Sequence, residues 1–225
     1  MKKTPHPIKW LANVSLIIAS LFWAASSQAA QLVNFGFNEG TGINVTDSAS
    51  GYAGRLGAQQ DTNLDYVELT ADSPSGIGGD GSVKFFGGGF LVADDSASQV
   101  LDITNGPITL EAWMLLPPIT SNTLGIVSYG NSYKLALRGG FLVFTLLGQK
   151  DITNINGGFI PDSQWAHVAA AWNPGVGVDF FIDGVQNFVE YTNNSAARPI
   201  TNYFLSLGAE TTGNNFPGSL DRIRI

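Results

Sequence analysis

The chain has 225 residues, no cysteine, and 18 acidic against 11 basic side chains, for a formal charge of −7. Without cysteine there is no disulfide, thiolate metal centre, iron–sulfur cluster or thiol nucleophile, so stability must come from a hydrophobic core, which a chain of this length can bury. The acidic balance and the absence of a Lys/Arg cluster exclude nucleic acid as a partner, because phosphate binding needs concentrated positive charge.

Lys2, Lys3 and Lys9 precede a mostly apolar run from Trp10 to Ala25, and Ser27-Gln-Ala29 then offers small residues where a signal peptidase cuts. Residues 1–29 are therefore expected to be an export signal and residues 30–225 the mature domain of a bacterial protein, periplasmic, at the cell surface or extracellular. The mature chain would keep 8 basic and 18 acidic side chains. No second run long enough to cross a bilayer follows.

From Gln31 onward, runs of Val, Ile, Phe, Tyr and Thr alternate with Gly, Asn, Asp, Ser and Pro, and no sustained 3.6-residue period appears. The first run is Leu32–Phe37, and Ser82–Phe86 is a later one. Residues 108–115 carry bulky apolar groups on both alternating faces, as an interior strand does. Gly139-Gly140 joins two runs inside Lys134–Leu146, and Asp183-Gly184 joins two inside Val178–Phe188; both pairs tolerate the positive φ of a two-residue hairpin loop. In the second hairpin Val178, Phe180 and Ile182 share one face. Val168-Ala-Ala-Ala-Trp172 is small and apolar, suiting close approach of two sheets. No repeat or low-complexity linker divides the chain. The expected architecture is all-β, a two-sheet antiparallel β-sandwich of jelly-roll type in one domain.

Six segments recur in a telling order: Leu32-Val-Asn-Phe-Gly-Phe-Asn-Glu-Gly40, Thr109-Leu-Glu-Ala-Trp113, Gln164-Trp-Ala-His-Val-Ala-Ala-Ala-Trp172, Phe181-Ile-Asp-Gly184, Leu205-Ser-Leu-Gly-Ala209 and Gly218-Ser-Leu-Asp-Arg-Ile-Arg-Ile225. Together they resemble laminin-G-like domains of the concanavalin A-like lectins and glucanases. The resemblance implies that the first and last strands, Leu32–Phe37 and Leu220–Ile225, lie side by side. It also implies a non-catalytic module that binds carbohydrate or a surface glycoconjugate, with a structural or adhesive envelope protein as the alternative and a diverged glycosidase or lyase as the weaker one. Two departures stand out. Phe86 occupies a position where the family often has Asp, and the family's closing strand usually runs on past a Tyr into a further short segment, whereas the given sequence stops at Ile225.

Glycosidases of this wider fold need two carboxylates about 5 Å apart. The five glutamates, Glu39, Glu68, Glu111, Glu190 and Glu210, form no alternating pair with an Asp between them, and Glu111 is read as structural. His167 is the only histidine after signal removal, and no Gly-x-Ser-x-Gly motif accompanies it, so no nucleophilic triad is expected. Gly87-Gly88-Gly89 lacks the Lys-Ser/Thr of a phosphate loop. Sugar binding needs exposed aromatic faces beside polar hydroxyl partners. Tyr66, Tyr133, Tyr191 and Tyr203 are the candidates, near Asn-containing stretches 153–156, 193–194 and 214–215, whereas Trp113, Trp165 and Trp172 are assigned to the core. The resemblance further implies one structural calcium ion near the paired termini. Its ligands would be Asp221 on the closing strand and Asn38, Glu39 and Asp47 in the loop after the first strand, completed by backbone carbonyls.

Overall fold

The computed structural model describes residues 30–57, 66–79, 81–87, 91–103, 106–118, 123–191, 202–210 and 214–225. The expected signal segment 1–29, with Gly88, Gly89, Asn193 and Asn194, lies outside them. The described strands are, in chain order, β1 (Asn34–Phe35), β2 (Asn44–Thr46), β3 (Ala53–Leu56), β4 (Val67–Thr70), β5 (Ser82–Phe86), β6 (Leu91–Asp94), β7 (Ile108–Leu115) and β8 (Thr123–Tyr129). They continue with β9 (Tyr133–Arg138), β10 (Phe141–Leu146), β11 (Lys150–Thr153), β12 (Trp165–Asn173), β13 (Gly177–Ile182), β14 (Val185–Glu190), β15 (Phe204–Leu207) and β16 (Pro217–Arg224).

Two eight-stranded antiparallel sheets result. One runs β14-β13-β12-β7-β16-β5-β4 with β1 added alongside β16; the other runs β11-β10-β9-β8-β15-β6-β3-β2. The expected pairing of the termini is present: Asn34 faces Arg224 and Phe35 faces Ile223. The regular part of the first strand is shorter than expected, because Phe37 turns to φ 49° and leads the chain away from the sheet. Main-chain bonds from Leu32 to Ile225 and from Ile225 to Val33 extend the seam beyond the ladder.

Alternation decides which face of each strand is buried. Ile108, Leu110, Ala112 and Met114 of β7 point inward, as do Val178 and Phe180 of β13, and Leu135 and Leu137 of β9. They close one core between the sheets, with Trp172 at 1% exposure among its largest members. Both expected hairpins form with two residues in the loop: Gly139 and Gly140 at φ 56° and 83°, and Asp183 and Gly184 at φ 48° and 79°. Positive φ at both positions matches the right-handed twist of the flanking strands.

The assignment of Trp113 and Trp165 to the core is corrected. The shorter side chains at even positions of β7 fill the inner face, which leaves Trp113 on the outer face, opposite His167 of β12, the two rings tilted at 55° with centroids 5.3 Å apart. Trp165 shares that outer face. Among the described residues no helix is long and apolar enough to cross a membrane.

Candidate functional site

The four tyrosines expected to bind ligand are not brought together. Tyr133 is corrected outright: it shares the inner face of β9 with Leu135 and Leu137, is fully buried, and its hydroxyl donates to Leu101 O at 2.8 Å. Burial holds its phenol well above the ordinary value. Tyr191 and Tyr203 are half-buried and pack against the core, at the end of β14 and the start of β15. Only Tyr66, 46% exposed ahead of β4, presents a face to solvent.

The predicted calcium ligands lie around the paired termini, each carboxylate with hydrogen-bond partners of its own. Asp47 is buried, and its carboxylate accepts backbone N–H bonds from Asn34, Ala49 and Ser50, which makes it the cap of a turn. Glu39 accepts from the Thr46 N–H at 2.8 Å. Asn38 and Glu39 line a pocket of about 380 Å³ that Arg222 shares, a cation where calcium would need anions. Asp221 lies at the β-bulge of β16, next to Arg222, 2% exposed and accepting the Arg222 N–H at 2.6 Å. Burial pushes its carboxyl up to about 6 despite that bond. Arg222 Nε lies 3.9 Å from Asp221 Oδ2, so this buried carboxylate has one distant counter-charge and fits a cation better than Asp47, whose oxygens are taken up by three backbone N–H groups. Among the described residues no three His, Asp or Glu side chains converge where they could hold a metal.

On the outer face of the first sheet, Glu111 joins three strands. Arg224 Nη1 donates to its Oε1 at 2.8 Å, and His167 Nε2 lies 3.4 Å from its Oε2. The His167 bond, opposed by burial and reinforced by Arg224, holds the Glu111 carboxyl below its ordinary value. This cluster braces β7, β12 and β16, as the structural reading of Glu111 expected. Nearby, Phe86 is 48% exposed beneath the Lys84 ammonium, beside a cleft of about 560 Å³ lined by Leu115, Pro117, Pro118 and Pro217.

The outer face of the second sheet has a different chemistry. Register aligns Asp151, Thr145, Lys134, Ser128 and Ser206 in one row across β11, β10, β9, β8 and β15. Lys134 Nζ pairs with Glu210 at 2.5 Å, and Asn214 donates to the other Glu210 oxygen at 3.0 Å. Arg138 Nη1 pairs with Asp151 Oδ2 at 2.7 Å, while Thr145 donates to Asp151 Oδ1 at 2.7 Å. Burial opposes ionisation of Asp151, but the Thr145 and Arg138 bonds outweigh it and hold the carboxyl below its ordinary value. Ser128 Oγ is buried without a hydrogen-bond partner among the described residues.

At the rim of this face lies an aromatic platform. Phe141 is the register partner of Arg138, and Phe159 packs on it with ring centroids 4.3 Å apart. Phe159 is 67% exposed. It rests directly over Gly140, where an added Cβ would come within 2.7 Å of the ring. The loop carrying it is tied down by Ile160 N–H to Gly140 O and by Asn187 donating to the buried Asn154 side chain. An exposed apolar ring anchored this firmly, beside an ion pair that both donates and accepts hydrogen bonds, is chemistry suited to a sugar ring and its hydroxyls. None of these residues was singled out in the sequence as a ligand-binding candidate. The one available signal was the Phe141 position beside the Gly-Gly turn.

Residues 87–225 match the sequence profile described as the concanavalin A-like lectin/glucanases superfamily. No curated protein matches the sequence. Among solved structures, domain 4 of an extracellular GH43 arabinanase from Geobacillus stearothermophilus, solved in complex with arabinotriose, superposes with TM-score 0.62 at 18% identity, over 88% of this chain and 92% of that one. The botulinum neurotoxin serotype G binding domain gives TM-score 0.61 at 14% identity, and botulinum neurotoxin type C, whose cell entry depends on two ganglioside molecules, gives 0.53 at 14%. In each of these two the match takes in 87% of this chain and 47% of the other, so the chain spans about half their length.

Proposed function

The chain belongs to the concanavalin A-like lectin/glucanase superfamily, and from that premise we propose that it is a non-catalytic module that binds carbohydrate. The observation that carries this reading is the Phe159–Phe141 platform beside the Arg138–Asp151 pair. Phe159 is 67% exposed and the Arg138 and Asp151 side chains beside it are 46% and 36% exposed, so the ring and the ion pair are both open to a ligand at this rim. The arabinotriose complex of the arabinanase domain supports it by likeness of fold. The glutamates support the non-catalytic part: Glu111 is held by His167 and Arg224, Glu210 by Lys134 and Asn214, and Glu39 by the Thr46 amide.

A glycan array probed with the purified protein tests the reading. Selective binding that soluble sugar competes away is expected, and Phe159→Ala should weaken it about tenfold, the upper end of an aromatic stacking contribution. Binding that survives Phe159→Ala unchanged would move the site elsewhere. Release of reducing ends or unsaturated uronates from polysaccharides would make the protein an enzyme.

The reading includes export directed by residues 1–29, for which the mature protein should begin at Ala30. It also includes one structural calcium ion held through Asp221 and backbone carbonyls. Calcium at about 100 times its Kd should then stabilise the parent by about 2.7 kcal/mol, roughly 5–10 °C in Tm, and leave Asp221→Asn unmoved. An equal rise in both proteins removes Asp221 as the ligand.

A further inference from the structure

Resting on the carbohydrate reading of the same face, we propose that the ligand is a neutral glycan, one without carboxylate, sulfate or phosphate groups. Recognition of an anionic sugar needs a cation free to meet it. Arg138, the cation beside the platform, already has an anion in place, as does Lys134, which lies four residues along β9 with its side chain 8% exposed; Lys150 alternates with Asp151 to the other face of β11. Arg138 Nη1 sits 2.7 Å from Asp151, and Lys134 Nζ sits 2.5 Å from Glu210. Each carboxylate is fixed by a further donor, Asp151 by Thr145 and Glu210 by Asn214. These pairs are built into the face, so a ligand anion would have to displace a tethered carboxylate and then lie beside it. Like charges held that close repel.

The same arrangement welcomes hydroxyls. A sugar hydroxyl both donates and accepts, so it can receive a guanidinium N–H from Arg138 and give its own proton to Asp151 without either leaving its partner. Phe159 and Phe141 contribute uncharged ring surface at the same rim. Arg55 closes the row at its other end, beyond Ser206 and Val92. It is four strands from Lys134, about 19 Å, which exceeds the Debye length of about 8 Å at physiological salt, so its charge barely reaches the platform. Asp94 shares its face two residues from Val92.

The test compares matched sugars that differ by an acid group: lactose against sialyllactose, and galactotriose against trigalacturonate, each immobilised and measured by surface plasmon resonance. The neutral member of a pair is expected to bind, its acidic partner about tenfold or more weaker, and salt to change the neutral Kd less than about twofold. Asp151→Asn removes one anion from an exposed ion pair and leaves the fold intact; it should free Arg138 and bring the acidic partner at least level with the neutral one. Tighter binding of the acidic member by the parent, weakened by salt, overturns the neutral assignment and leaves the carbohydrate reading standing. Binding of neither sugar type, here or on a wider panel, overturns both.

Discussion

Replacing Asp95 by alanine should cost about 3–5 kcal/mol of folding stability, because it strands several buried donors at once. Asp95 is 1% exposed, and its carboxylate accepts from the Tyr52, Ser98 and Tyr129 hydroxyls and from the Leu101 N–H. Leu101 in turn receives the Tyr133 hydroxyl, so one anion organises the turn after β6 and two tyrosines from β8 and β9. For a chain of this size the loss corresponds to roughly 10–15 °C in Tm. Burial opposes ionisation of Asp95, but the Ser98, Tyr129, Tyr52 and Leu101 bonds outweigh it, and the carboxyl titrates below its ordinary value. A depressed carboxylate contributes stability that is present above its unfolded pKa and disappears as pH falls through the folded one. Glu111 and Asp151 are depressed too and act in the same direction. Urea unfolding at neutral pH and near pH 3 checks this: the parent should lose stability steeply below about pH 4, and Asp95→Ala less steeply. A variant as stable as the parent at neutral pH would show that water replaces the carboxylate without loss.

The second large effect is expected at Glu210. Lys134 and Glu210 have side chains only 8% and 11% exposed, and they lie 76 residues apart in sequence. Removing Glu210 leaves an ammonium on the sheet without its counter-charge, which costs about 3–5 kcal/mol for a buried pair. The double variant Lys134→Met/Glu210→Leu should recover most of that, because apolar groups of similar volume need no partner. A double-mutant cycle of urea midpoints reads the coupling, with about 2 kcal/mol or more expected. The backbone geometry agrees with a fixed position for Glu210: a Cβ on Gly125 would come within 2.6 Å of the Glu210 nitrogen. Additive single variants would mean that the pair is formed but contributes nothing.

Much of the fold was legible because strand patterning is local. The Gly139-Gly140 and Asp183-Gly184 loops announced their hairpins, and the closing strand found the first as its segment order implied. Faces were harder. In β7 each alternating set carries bulky apolar groups, Trp113 and Leu115 standing with Thr109 and Glu111 on one of them, so the packing is what shows that Leu110, Ala112 and Met114 point inward and Trp113 outward. Tyr133 could have been placed correctly, since it keeps step with Leu135 and Leu137. Asp47, followed by Ser-Ala-Ser-Gly, carried the mark of a turn cap, yet the carboxylate type drew it toward a metal. The candidate site itself depends on contacts that local pattern cannot show. Phe159 meets Phe141 from 18 positions away, and Glu210 reaches Lys134 across much of the domain.

The location of the site is the point on which everything functional depends, and amide chemical-shift mapping tests it most directly. The ¹⁵N-labelled protein would be titrated with a neutral oligosaccharide taken from the array, such as arabinotriose. Shifts are expected to cluster at Arg138–Phe141, Asp151 and Asn156–Phe159. Shifts concentrated at Trp113, Trp165 and His167, or around Asn38, Glu39 and Arg222, would contradict the assignment and place recognition on the other sheet or at the paired termini.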